Sequence, residues 1–310
     1  LQLAGPMNSS AQTNPPQNAG DWTIPTNDVT YYNNSQALIQ GDIHIYGTLI
    51  VQNSNVFVQG ANNGDRNVYI YSTGELYFND SILSSYSSAC VDFIAYTGSK
   101  IYSDGSRFDS FCDIEVNSKN VYFNNTKFEK SRLNIDIDES DSIFHSSNGT
   151  TTYQVNHTYS NLVFANSSNT QDTLLWIENP HTMIDNVLLF KNLTISLGSY
   201  HEKGVRDFSY TFRKIEFNGL DIFGTYQTHN QPLQDYFSLI RMDYQRQVKV
   251  FRNFTLHDAD NHMAFFGQSG IAGSVHHLIL DNGSINNLGS GSISSTTSNI
   301  EYPFNMDGSN

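Results

Sequence analysis

Apolar and polar residues alternate in short stretches along this chain, and Gly, Asn, Asp or Ser separates one stretch from the next. Ile215 and Phe217, for example, flank Glu216. A period of two residues is typical of β-strands, because successive side chains of a strand point to opposite faces. The pattern therefore predicts an all-β fold of short strands, each with one face buried.

A short motif recurs within this alternation. It reads large apolar, any residue, Asn or Gly, any residue, Ser, Thr, Asp or Lys, and apolar, with copies at 123–128, 190–195, 217–222, 251–256 and 280–285. Its third position falls at Asn53, Asp80, Asp104, Asn125, Asn166, Asn192, Gly219, Asn253 and Asn282, about every 25 residues once one long gap is counted as two. A repeat of this length holds three brief strands and three bends. It predicts a solenoid in which each repeat contacts its neighbours.

Large apolar pairs before the turn are expected to stack inside the fold. They are Leu76 and Phe78, Val121 and Phe123, Leu162 and Phe164, Leu188 and Phe190, Ile215 and Phe217, and Leu278 and Leu280. The copy near Val248 is irregular, because Lys249 occupies the inward position. Either a β-bulge or a register shifted by one residue would explain it.

The boundaries of the repeat divide the chain into four parts. Residues 1–20 contain Pro6, Pro15 and Pro16, which forbid a regular helix. They are either a flexible tail or an extended arm that docks on a neighbouring subunit by strand addition, and we adopt the arm as the working hypothesis. We expect an N-terminal cap at 21–42, the repeat at 43–290, and a tail or final coil at 291–310.

Composition narrows the classes of partner. The formal net charge of −14 argues against nucleic acid and anionic lipid surfaces, although solubility alone is the simpler explanation of the charge. No apolar run in the sequence approaches the roughly 18 residues of a membrane span. Candidate glycosylation sites lie at Asn8, Asn33, Asn79, Asn124, Asn148, Asn156, Asn166, Asn192, Asn253 and Asn282. They give modest support to an extracellular location.

The two cysteines, Cys90 and Cys112, stand about one repeat apart. Residues one repeat apart would lie on neighbouring strands, at roughly 4.8 Å, which is within disulfide range. We predict a bridge, and with it an oxidising compartment; two buried free thiols are the alternative.

The strand–Asn turn–Ser/Thr–strand motif at Asn125, Asn166, Asn192, Asn253 and Asn282 resembles that of the pectate-lyase-like right-handed parallel β-helix superfamily. The resemblance covers about residues 43–290 and implies a single right-handed β-helix of about ten coils. It also implies that these five asparagines form a hydrogen-bonded turn ladder. The opening of the repeat is similar to β-helix modules of microbial, especially archaeal, surface proteins. Because the superfamily contains lyases, hydrolases, tailspikes and structural proteins, fold alone does not select a function.

Candidate chemistry is sparse. The Asn-Thr-Asp, Asp-Asp, Gly-His-Gly and Arg-Ile-Lys signatures of galacturonase-like relatives do not occur in the sequence. Asp136, Asp138 and Asp141 could share a Ca²⁺, as clustered aspartates do in pectate lyases, but a solvated acidic loop is the simpler interpretation. We expect no other cofactor.

Two further polar groups are candidates. The residues His257, Asp258, Asp260 and His262 could ligate a metal or act as acid and base, but an exposed bend is the better interpretation. The basic residues Arg206, Arg213, Lys214, Arg241, Arg246, Lys249 and Arg252 could line an anion-binding face, or could simply pair with carboxylates.

The sequence therefore favours a non-enzymatic extracellular structural protein. We expect a subunit of a surface filament, sheath or surface layer, with adhesion as a further role, that self-associates through its arm and the ends of the solenoid. The alternative is a polysaccharide lyase or hydrolase, or a glycan-binding protein similar to a tailspike.

Overall fold

The computed structural model describes residues 14–17, 19–136, 156–165, 173–179, 184–196, 203–209, 212–223, 238–242, 248–259, 263–267 and 277–288. Within these ranges the fold is all-β and contains no α-helix, so no helix there is long and apolar enough to cross a membrane. The predicted all-β class is confirmed.

The described strands form two parallel sheets that curl around a shared core. The ten-stranded sheet consists of β1 (Trp22–Ile24), β4 (Ile43–Ile45), β7 (Asn67–Ile70), β10 (Val91–Ala95), β13 (Phe111–Val116), β16 (Leu133–Asp136), β18 (Thr173–Asn179), β20 (Lys203–Ser209), β22 (Ser238–Met242) and β24 (Met263–Gly267). The first part of the fifteen-stranded sheet consists of β2 (Val29–Asn33), β3 (Gln36–Ile39), β5 (Thr48–Gln52), β6 (Asn55–Val58), β8 (Glu75–Asn79), β9 (Ile82–Ser85), β11 (Lys100–Asp104), β12 (Arg107–Asp109), β14 (Asn120–Asn124) and β15 (Lys127–Glu129). Its second part consists of β17 (Asn156–Ala165), β19 (Ile184–Ser196), β21 (Phe212–Phe223), β23 (Val248–Ala259) and β25 (His277–Leu288).

Each strand pairs with the equivalent strand of the next repeat. In the ten-stranded sheet β1 pairs with β4 and β4 with β7, and the order continues along the chain to β24. In the other sheet, β17 pairs with β14 through its first half and with β15 through its second half. Two short strands per repeat therefore give way to one long strand from β17 onward. The segment expected to be a cap, 21–42, supplies β1, β2 and β3.

Apolar side chains from both sheets fill the space between them. A stack of aromatic rings runs through the core, in the order Phe123, Tyr159, Phe190, Phe217 and Phe251, with adjacent centroids 4.9–6.1 Å apart. The stack follows from the parallel register, which places the same position of successive strands one strand spacing apart. The expected inward positions before the turn, such as Leu188 and Phe190, are buried.

A residue with positive φ marks the turn between the two halves of each repeat in the fifteen-stranded sheet. This column consists of Asn34, Asn53, Asp80, Gly105, Asn125, Asn161, Asn192, Gly219, Asn253 and Asn282. Asn, Asp and Gly tolerate the left-handed region better than other residues do. The residue that follows is a buried Ser or Thr in the early repeats, at Ser54, Ser81, Ser106 and Thr126, and Leu or Phe in the later ones, at Leu162, Leu193, Leu220 and Phe254.

Two positions of the predicted register are wrong. Asn161, five residues before Asn166, holds the turn, because Phe164 pairs with Phe128 and Ile195 and therefore lies after the turn rather than before it. Asn166 itself lies outside the described residues. The other correction is a shift of one residue, since Gly105 rather than Asp104 has positive φ.

Lys249 lies in the inward position, and the structure has neither the β-bulge nor the one-residue register shift that the sequence suggested there. It pairs with Ile215 on one side and Leu278 on the other in an unbroken register, and it is 3% exposed. The predicted register is therefore correct there, and the sheet accommodates the lysine in place.

Candidate functional site

Four of the five predicted asparagines, Asn125, Asn192, Asn253 and Asn282, donate hydrogen bonds to a neighbouring repeat, and among the described residues the bond between Asn282 and Asn253 joins two of the five. Asn282 donates from Nδ2 to Oδ1 of Asn253 at 2.6 Å, and Asn192 donates to Oδ1 of Asn161 at 2.9 Å. These two amides thus bond to the amide at the equivalent turn position of a neighbouring repeat, whereas Asn161 donates to Oδ1 of Asn124, the residue before the turn position, at 3.0 Å. Asn125 donates to Asp104 Oδ1 at 3.0 Å instead, because the turn position beside it is a glycine.

Gly219 interrupts the ladder in the same way. Gly219 has no side chain to accept a hydrogen bond. Asn253 therefore donates to Oδ1 of the preceding residue, Asn218, at 2.9 Å. A Cβ at position 219 would lie 2.7 Å from Asn192 Oδ1, so the amide of Asn192 occupies the space that a side chain would need. The column is therefore a set of structural bonds between repeats, in which Nδ2 of Asn192, Asn253 and Asn282, the atom that glycosylation would modify, is the donor.

A second column, of four aspartates and one asparagine, lies on the outer face of the ten-stranded sheet at the starts of its first five strands. We call it the aspartate column; it contains Asp21, Asp42, Asn67, Asp92 and Asp113. Asp21 Oδ1 accepts the backbone N–H of Asp42 at 2.9 Å, and Asp42 Oδ1 accepts that of Asn67 at 3.0 Å. Asp92 accepts the backbone N–H of Asp113. Asp21, Asp42 and Asp92 therefore each satisfy a backbone donor in the next repeat.

The last two carboxyl groups of this column have perturbed acidities. Burial raises the pKa of Asp92 and of Asp113 above the ordinary value of an aspartate, and the Arg132 guanidinium opposes the rise at Asp113. Arg132 Nε lies 3.2 Å from Asp113 Oδ1, and its guanidinium carbon lies 5.2 Å from the centroid of the Trp176 ring. A carboxyl group with a raised pKa could serve as a general acid, but Asp92 and Asp113 are both engaged in structural bonds.

Aromatic rings stack on the same outer face beside the aspartate column. Tyr46, Tyr71 and Tyr96 follow one another with centroids 4.0 and 5.5 Å apart, and His44 stacks on Tyr69 at 5.3 Å. Burial raises the pKa of Tyr71, and the hydrogen bond and proximity of Tyr46 raise it further. Since the faces of inner rings are covered by their neighbours, these rings offer mainly edges and hydroxyl groups to solvent.

Three potential metal ligands lie close together where the aspartate column meets the stacked aromatic rings. Asp21, Asp42 and His44 each offer one ligand atom, and these atoms lie within 4.8 Å of one another. His44 Nε2 is 3.8 Å from Asp21 Oδ2. The sequence did not indicate this cluster, because Asp21 and Asp42 belong to different repeats and meet only through the register of β1 on β4.

The predicted disulfide is confirmed. Cys90 and Cys112 are bonded, with their Cα atoms 5.1 Å apart, and connect the starts of β10 and β13. The register between these strands shifts by one residue beside the bridge, between Val91 and Asp92. A structural disulfide is typical of an oxidising compartment.

The other predicted groups fall largely outside the described residues. Asp136 ends β16, but Asp138 and Asp141 are not described, so the calcium site stays a prediction. In the 257–262 cluster, the described side chain is His257, whose Nε2 lies 3.2 Å from Asp221 Oδ1. Among the basic residues, Lys214 pairs with Glu216, and Arg252 lies 3.3 Å from the same carboxylate, which favours the charge-pairing interpretation for these two.

An open cleft of about 540 Å³ lies near the start of the described chain and is lined by both polar and apolar residues. Gln40, Gln59, Asp65 and Arg66 contribute its polar groups. Gln40 donates from Nε2 to Gln59 Oε1 at 3.0 Å, which again joins two neighbouring repeats.

Comparison with known proteins gives no match to a family model, a curated protein or a solved structure. The function is therefore argued from the geometry of the described residues.

Proposed function

We propose that this protein is a non-enzymatic extracellular structural protein, built as a right-handed parallel β-helix of about ten coils. It would serve as a subunit of a surface filament, sheath or surface layer, and would assemble through its N-terminal arm and the ends of the β-helix. One observation carries the proposal: polar side chains on the surface bond from repeat to repeat in columns.

Within the described residues, the aspartate column engages carboxylate oxygens that an enzyme would need free. In the aspartate column, Asp21, Asp42 and Asp92 accept backbone N–H groups, and Asp113 is held by Arg132. Such bonds stabilise the stacking of repeats, as expected of a rod that carries load rather than a cleft that turns over a substrate.

The N-terminal arm supplies the test of assembly. Its first 13 residues lie outside the described ranges, so the arm stays a hypothesis. We expect the full chain to form polymers that sediment and are visible by electron microscopy. Deletion of residues 1–20 should abolish them and leave a folded monomer with an unchanged far-ultraviolet circular dichroism spectrum. Assembly that survives the deletion would refute the role of the arm, and a full chain that stays monomeric would refute the structural function.

Glycan binding is a second candidate, favoured by tyrosines on the outer face of the fifteen-stranded sheet. Tyr77, Tyr102 and Tyr122 lie on three successive strands, with Tyr102 and Tyr122 stacked at 4.8 Å and 37% and 39% exposed. Exposed rings with hydroxyl groups offer apolar and hydrogen-bonding surface together, as sugars require. Binding on a panel of polysaccharides that Tyr102→Ala abolishes would support this function; equal binding by the variant would exclude this surface.

A further inference from the structure

The start of the ten-stranded sheet brings together Asp21, Asp42 and His44. We propose that these three residues bind a divalent transition-metal ion of the Zn²⁺ type. The inference is independent of the proposed function, because it rests on the ligand geometry alone. It concerns residues far in sequence from the predicted calcium cluster at Asp136, Asp138 and Asp141.

The spacing of the ligand atoms suits an ion between them. His44 Nε2 and Asp21 Oδ2 are 3.8 Å apart, too far for a hydrogen bond between them. Zinc bonds of about 2.0–2.2 Å in tetrahedral geometry place two ligand atoms roughly 3.4 Å apart. The pair formed by His44 and Asp21 would therefore have to approach by roughly 0.4 Å, and ligand atoms as far apart as the 4.8 Å limit of the group would have to approach by roughly 1.4 Å.

Contacts outside the metal group orient each ligand. Asp21 and Asp42 use one carboxylate oxygen, Oδ1, to accept a backbone N–H, and each retains the other oxygen. His44 Nδ1 lies 3.1 Å from the Tyr71 hydroxyl oxygen. If Nδ1 carries the proton and donates it to that oxygen, the lone pair of Nε2 faces Asp21. A histidine ligand whose other nitrogen donates to an outer partner is the usual arrangement in metal sites.

The donor set selects the class of ion. Calcium takes six to eight oxygen ligands, whereas one imidazole nitrogen and two carboxylate oxygens are donors that zinc accepts. Three protein ligands leave a fourth position for water or an outside group. The group also depends on Gly41, because a Cβ at that position would overlap the backbone of Gly20 and the Asp21 carboxylate.

A bound ion would join β1 to β4. Asp21 directly precedes β1, whereas Asp42 and His44 lie at the start of β4. Because an ion that binds the folded protein stabilises it by mass action, zinc should raise the thermal midpoint of unfolding.

Titration calorimetry of the full chain with ZnCl₂ and with CaCl₂ tests the proposal. We expect one equivalent of Zn²⁺ to bind and calcium to compete poorly. Asp21→Asn keeps the acceptor for the Asp42 N–H but loses charge, and His44→Gln removes the imidazole; both should weaken binding more than about 100-fold. Tyr71→Phe removes only the outer partner, and should weaken it about 10–100-fold.

His257→Gln is the matched control, because it removes another histidine that faces an aspartate, Asp221, on the other sheet. It should leave the zinc affinity unchanged. Co²⁺ added in place of Zn²⁺ should give visible absorption bands that the Asp21 and His44 variants lack. Absence of zinc binding by the full chain, or binding that is equal in Asp21→Asn and His44→Gln, would overturn the proposal.

Discussion

Truncation of Phe217 tests the aromatic stack on which the core depends. Its ring is 3% exposed and lies between Phe190 and Phe251, at centroid distances of 4.9 and 5.0 Å and nearly parallel to both. A buried phenylalanine truncated to alanine costs about 3–5 kcal/mol of unfolding free energy. Within that cost, each aromatic pair contributes about 0.5–1.5 kcal/mol beyond its buried area.

Two control variants separate the loss of ring contacts from the loss of buried apolar area. Phe217→Leu keeps most of the apolar area but loses both ring contacts, so we expect it to cost about 1–3 kcal/mol. Tyr102→Ala removes a ring that stacks at 4.8 Å on Tyr122 but is 37% exposed, and should cost about 1 kcal/mol or less.

Equilibrium unfolding in guanidinium chloride, followed by circular dichroism, gives the three free-energy changes. The order Phe217→Ala, then Phe217→Leu, then Tyr102→Ala is expected. A cost below about 1 kcal/mol for Phe217→Ala would refute the buried stack, because a ring outside the core loses little on truncation.

Three further changes have defined outcomes. Asn192→Ala should lower the unfolding free energy by about 1.5–3.5 kcal/mol in chemical denaturation, because alanine is unfavourable in the left-handed backbone conformation and a hydrogen bond is lost. Asn192→Gly loses only the hydrogen bond and should lower it by about 0.5–1.5 kcal/mol. Replacement of both Cys90 and Cys112 by alanine should cost about 3 kcal/mol for a loop of this length, read as a lower thermal midpoint; an unchanged midpoint would contradict the structural role of the bridge. Because burial raises the folded-state pKa of Asp92 above 3.8, its contribution to stability is full below that pH and is lost as pH rises through the folded-state pKa. Asp92→Asn should therefore flatten the decline of the thermal midpoint above pH 3.8, and a variant with the same decline as the parent would contradict the assignment.

Local pattern was sufficient to predict the strands and most turns. The alternation around Ile215 and Phe217 identified their inward faces, because burial on one face of a strand leaves a period of two in the sequence. Asn192, Asn253 and Asn282 were recognised as turn residues, since a left-handed residue next to alternating apolar positions has few alternatives to Asn and Gly.

Register between repeats was harder to predict, because it depends on loop lengths that vary. Asn166 is predicted as the turn residue because Leu162 and Phe164 alternate as residues before a turn do, although in the structure they follow the turn at Asn161. Asp104 is predicted where the structure has Gly105, because Asp and Gly both tolerate the turn conformation and the local sequence does not exclude the wrong one.

The candidate sites depended on that register. Asp42 and Asn67 meet because β4 lies on β7, and nothing in the local sequence of either residue indicates the other. The bridge of Cys90 and Cys112 could be predicted because the separation of the two cysteines is close to one repeat. A signal for the aspartate column existed in hindsight: aspartate or asparagine stands just before or within the first three residues of each of the first five strands of the ten-stranded sheet.

Electron microscopy of the purified full chain over a range of concentrations tests the structural function most directly. We expect extended polymers whose subunits are rods roughly 50 Å long, the length of about ten parallel strands at their usual spacing. Isolated particles that do not associate at any concentration would contradict it.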